Sequence, residues 1–152
     1  MPQLPMLAFM MTGIDGSIQL KIEEVFGYPD ETSYGGGYGA KGTLDIKSGG
    51  FKVSAPHYYT TGELYVFYQQ LQGCYDSLTG RATLDNTERE LDLQCEFNKF
   101  GHVILTGTFQ ASSTERNILQ FEIKSDQTQV KETLSQLKEV YAVFGDNKGI
   151  LR

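Results

Sequence analysis

No tryptophan occurs among the 152 residues, and cysteine and histidine occur only twice each. A secreted domain could pair the two thiols, Cys74 and Cys95, but two cysteines in 152 residues are no disulfide framework, and no C-x-x-C pair exists. They are expected as free, buried thiols of a reducing compartment. His57 and His102 have no closely spaced Cys, Asp or Glu partners of the kind a metal site needs, so neither a metal nor a cofactor is expected. Basic charge is also scarce: 13 Lys and Arg stand against 19 Asp and Glu, a net charge of −6. That balance excludes a phosphate-neutralising stripe for nucleic acid and a surface that seeks anionic lipid. Long apolar runs are missing too. The run at 4–11 is broken by Pro5 and falls far short of the roughly 20 residues a bilayer-spanning helix needs. The first basic residue is Lys21, so the start lacks the charged region of a secretory signal. An irregular lead-in over 1–16, strand-like in its apolar run, and a cytoplasmic protein are the expectations.

What is present points to one folded domain over 1–152. Hydrophobic residues make up 39% of the chain, with 17 glycines, nine tyrosines and nine phenylalanines, a composition suited to aromatic strands joined by turns. Side chains alternate along 17–26, with Ile18, Leu20 and Ile22 on one face. A Gly- and Tyr-rich loop follows at 27–40, then a hairpin with strands at 43–47 and 51–55 around Gly49-Gly50. Thr60 and Glu63 form a capping box for a helix whose stripe is Leu64, Phe67, Tyr68, Leu71, Tyr75 and Leu78, closed by Gly80. Period two returns at 82–84, 91–97, 103–109 and 119–123, four strands with short connections and hence a meander. Asp126 caps a last helix striped by Val130, Leu134, Leu137, Tyr141 and Phe144, ended by Gly145 and followed by a frayed tail at 146–152. The fold class predicted is α+β, an antiparallel, meander-rich sheet of about seven strands with two helices, one after the third strand and one at the C-terminus.

Few residue patterns carry chemistry. Gly37-x-Gly39-x-x-Gly42 has the letters of a dinucleotide fingerprint, but a strand rather than a helix is expected after it, so no helix N-terminus meets a pyrophosphate. Cys74 falls on or beside the buried helix stripe, where a thiol without cationic neighbours is inert. No G-x-S-x-G, H-E-x-x-H or calcium-loop pattern occurs.

Acid is concentrated in the middle of the chain, where residues 61–100 hold seven acidic and three basic side chains. Glu90, Asp92 and Glu96 are expected on one strand face, opposite Leu91, Leu93, Cys95 and Phe97, with Glu88 in the preceding turn. A register set by a turn at 86–89 places Asp85 across from Glu90 and Thr83 across from Asp92. Such a strip is either an ordinary solvated face or a surface that steers a basic partner. The tyrosines Tyr28, Tyr34, Tyr38, Tyr58 and Tyr59 gather around loops, either roofing the sheet or offering interface area at low entropic cost.

Residues 28–144 resemble the WapI-type bacterial immunity proteins, partners of contact-dependent polymorphic toxins. The resemblance is carried by Gly36-Gly37-Tyr38, Lys41-Gly42-Thr43-Leu44, Thr61-Gly62-Glu63-Leu64-Tyr65 and the stretch 71–75. Gly101-His102-Val103, Leu119-Gln120-Phe121-Glu122 and Ser125-Asp126-Gln127 complete the colinear set. It implies an α+β cytoplasmic protein without catalysis that binds and blocks a toxin domain. With the acid excess, that implication favours a basic partner such as a nuclease, met by Glu88, Glu90, Asp92 and Glu96, with Tyr34 and Tyr38 as anchors. Two other classes make different demands. A small-ligand carrier needs an aromatic-lined internal pocket, and a hydrolase needs a buried titratable pair in a cleft.

Overall fold

The computed structural model describes residues 3–86, 90–112 and 114–150. Within them the chain runs β1 (Met6–Gly13), β2 (Gly16–Ile22), β3 (Glu24–Phe26), β4 (Gly39–Ser48), β5 (Phe51–Thr60) and α1 (Thr61–Ser77). It continues through β6 (Gly80–Asp85), β7 (Leu91–Phe97), β8 (His102–Phe109), β9 (Leu119–Asp126) and α2 (Gln127–Phe144). The class is α+β with antiparallel sheets, as expected. One sheet holds β1 to β5, with β4 central: β2 and β3 pair along one side of it and β5 along the other. The second is the β6-β7-β8-β9 meander read from the alternation.

The count before α1 differs from the expectation. The first helix follows the fifth strand, because two strands escape a search for strict alternation. Residues expected as irregular lead-in form β1, which pairs with β2 through a shift in register between Leu7 and Phe9. That irregularity buries Ala8 and Phe9 in succession and erases the period-two signal. The run expected as one strand over 17–26 is split at Glu23 into β2 and β3.

Inward side chains of both sheets meet in one core: Ile18, Leu20, Leu44 and Ile46 from the first, Leu93, Cys95, Leu105 and Ile123 from the second. The helices close the flank. Thr133 and Gln136 of α2 take the outward backbone groups of Met10 on edge strand β1, at 2.7 Å each. Gln70 of α1 accepts the Thr83 N–H of edge strand β6 at 2.9 Å. Covering a sheet edge with helix side chains satisfies its open hydrogen bonds and blocks pairing with another chain.

Both helix starts follow the sequence. Thr60 and Glu63 make the reciprocal capping box, and the Asp126 side chain accepts the Gln129 N–H. The end of α1 does not: Leu78, with φ of 54°, is the left-handed cap, and Gly80 already opens β6. The tail expected to fray makes tertiary contacts at Asn147 and Ile150. Gly37 N–H donates to Asn147 O at 2.7 Å, Ile150 N–H donates to the Tyr38 hydroxyl at 3.1 Å, and Ile150 packs against the core.

Candidate functional site

Asp85 ends β6 and Asp92 is the second residue of β7, and the register sets them directly opposite each other. The sequence expectation, Asp85 facing Glu90 and Thr83 facing Asp92, is corrected by two positions: Thr83 faces Gln94 and Arg81 faces Glu96. Of the turn expected at 86–89, residues 87–89 lie outside the described residues. The buried Asn86 side chain bonds across the connection, its Oδ1 accepting the N–H groups of Glu90 (3.0 Å) and Leu91 (3.2 Å). Its Nδ2 donates to Tyr58 O at 3.1 Å, tying the second sheet to β5.

The two aspartates open onto a surface cleft of about 940 Å³ between α1 and the β6–β7 end of the meander. Gly62, Glu63, Val66 and Gln70 form the helix wall; Thr83, Asp85, Asp92 and Thr108 form the sheet wall, and Gly35 and Asn147 close one end. A smaller cavity of about 300 Å³ adjoins it, sharing Gly35, Glu63 and Asn86 and rimmed by Phe26, Tyr34 and Tyr58. These are clefts at the surface, not the internal chamber a small-ligand carrier requires.

The rim is held by a close backbone contact. Gly62 at the start of α1 sits against the Gly36 carbonyl, which an added Cβ would meet at 2.5 Å. Tyr38 N–H donates to Thr61 Oγ1 at 2.8 Å, and Thr61 N–H donates to Tyr38 O at 2.9 Å. The Gly36-Gly37-Tyr38 and Thr61-Gly62-Glu63 motifs, 25 positions apart, are thus the two sides of one joint. Its consequence is a supported loop with Tyr34 fully exposed upon it.

The anticipated contact residues separate. Asp92 and Tyr34 reach the groove. Tyr38 does not: its ring is 1% exposed, packed edge-on to Tyr28 at 5.2 Å and to Phe144 at 6.3 Å. Its hydroxyl donates to Pro29 O, so as a partner anchor it is corrected to a core residue. Glu90 is half-buried outside β7 and lies 3.6 Å from His57 Nδ1 rather than on the strand's open face. Glu96 is on that face, four residues and about 13 Å along the strand from Asp92, beside Arg81 at 3.5 Å. Glu88 lies outside the described residues.

Sequence reasoning passed over Asn86, Asp85 as a cleft residue, and His57 beside Glu90. His57 is 1% exposed, stacked on Tyr59 at 5.7 Å and edge-on to Phe109 at 5.8 Å. Burial lowers its pKa to about 4, so the imidazole is neutral at pH 7 despite the nearby carboxylate. The pair resembles the titratable couple a hydrolase needs, but the ring is shut inside the core, away from the groove. Burial also pushes the Cys74 and Cys95 thiols up, keeping them protonated and poor nucleophiles. Among the described residues no three His, Cys, Asp or Glu side chains converge to hold a metal ion, and no helix is long and apolar enough to cross a membrane. The Gly37-x-Gly39-x-x-Gly42 run enters β4 at Gly39, so no helix N-terminus opens there.

The model of the immunity protein WapI-like family aligns with residues 10–145. No match emerges among curated proteins.

Proposed function

The chain belongs to the WapI-like immunity protein family, and from that premise we propose that it is a non-catalytic, cytoplasmic inhibitor that binds and neutralises a cognate toxin domain. The family match over residues 10–145 carries the reading. The open acidic cleft supports a protein contact, and the net charge of −6 favours a basic partner, a nuclease domain among the candidates. Opposite charge raises the encounter rate and makes it salt-dependent. Contact residues under this reading are Asp92, Tyr34 and Glu96, joined by Asp85, with Glu90 at the margin beside His57.

Growth tests it. Cells induced to make a cognate toxin domain should survive when the chain is co-expressed and stop growing when it is absent. Equal arrest in both strains would remove the immunity assignment.

A further inference from the structure

We propose that the groove running from the Asp85–Asp92 cleft to the Phe26–Tyr34–Tyr58 rim receives an arginine-bearing segment of the partner protein, an inference that rests on the immunity reading for the partner being a protein. Three large aromatic side chains are exposed along one rim: Phe26 by 46%, Tyr34 by 107% and Tyr58 by 51%. Water is a poor environment for so many ring faces together, and contiguous exposed aromatics next to polar walls mark interaction surfaces. The adjoining wall presents two carboxylates in directly opposed register. Like charges so placed repel, and a cation set between them relieves the repulsion. Aromatic faces beside paired carboxylates suit one side chain above others. A guanidinium is planar, weakly hydrated and forked, so it stacks on a ring while donating to carboxylate oxygens; an ammonium is a strongly hydrated point charge.

The other charges nearby refine the orientation. Lys41 Nζ already stands 5.6 Å over the Tyr58 ring, so the ring an incoming guanidinium meets is that of Tyr34. Glu63 lines both cavities while its Oε1 accepts the Thr60 N–H at 2.8 Å. Arg81 is taken up beside Glu96, away from the cleft lining. A second copy of the chain is a poor occupant, because each copy carries the same net charge of −6.

Peptides test this without the toxin. The full chain, ¹⁵N-labelled, is titrated with a synthetic arginine–alanine peptide and with its twin in which every arginine is lysine, equal in length and charge. The arginine peptide should shift the amides of Gly35, Gly62, Thr83, Asp85 and Asp92 and bind about threefold tighter than its twin, since a planar, weakly hydrated guanidinium stacks and forks where an ammonium cannot. Tyr34→Ala, at a fully exposed position, should erase that preference and leave weaker, charge-driven binding. The double change Asp85→Asn and Asp92→Asn should weaken both peptides about tenfold, whereas Glu132→Gln with Glu139→Gln on α2 should change neither. Equal affinities for the two peptides, shifts spread over α2 and β9, or self-association of the free chain through these same residues would each overturn the proposal. An intact arginine preference in a chain that gives no growth protection would overturn the immunity reading alone.

Discussion

His57 is the residue with the clearest dependence on pH. Its folded pKa, lowered to about 4, lies below the ordinary 6.5, so between those values the unfolded chain binds the proton that the folded chain refuses. The stability it contributes is whole above pH 6.5 and falls away as the pH drops toward 4, by roughly 3 kcal/mol at the 1.36 kcal/mol per unit of linkage. Urea midpoints at pH 7 and pH 5 should therefore diverge for the native chain and draw together in His57→Phe. Asp92 works in the opposite sense, against stability. Its register partner is Asp85, and removing one charge of a directly opposed pair recovers roughly 0.2–1 kcal/mol. Asp92→Asn should thus raise the thermal midpoint while weakening partner binding, a pairing that thermal melts and calorimetric titration measure separately. Tyr34 and Tyr38 show what the sequence conceals at this scale. Both sit in one Gly- and Tyr-rich stretch, yet one is fully exposed and the other 1% exposed. The difference arises from Asn147 and Ile150, which reach back from the far end of the chain, and no local pattern encodes that return.

Elements were legible where one face is buried and the other wet. The strands β6 to β9 and the stripes of α1 and α2 satisfy that condition, and their order follows directly from the spacing of Leu, Cys, Phe and Ile. β1 does not satisfy it, because α2 lies along its edge and a register irregularity disturbs its alternation. The observed β6–β7 register also differs by two positions from the one expected, and the Asn86 side chain there bonds to Glu90, Leu91 and the distant Tyr58, which local turn chemistry does not encode. The joint between the Gly36-Gly37 loop and the start of α1 belongs to this scale as well. Gly62→Ala places a methyl group against the Gly36 carbonyl, backbone that cannot swing aside as a side chain does. A cost of roughly 1–3 kcal/mol is expected, as for overpacking elsewhere. The amide resonances of Gly35 to Tyr38 should move with it, while those of β8 and β9 stay in place.

Across the whole molecule, charge and shape divide the work. The interior is filled by both sheets and both helices, and two sheet edges are covered by helix side chains; at the far edge, β5 carries Lys52 and Pro56, which discourage pairing with another strand. Under the proposed function, recognition is left to the outside. The acid excess in residues 61–100 was visible in the sequence, but its focus was not: folding turns Glu90 toward His57, sets Glu96 beside Arg81, and joins Asp92 to Asp85 in a cleft. The most direct test is the affinity of a cognate toxin domain for two charge-reversed chains of identical net charge. Asp85→Lys with Asp92→Lys should weaken binding at least about tenfold and flatten its salt dependence, while Glu132→Lys with Glu139→Lys should leave the affinity at the native value. Equal weakening in both chains, or none in the first, would contradict the placement of toxin recognition in the cleft.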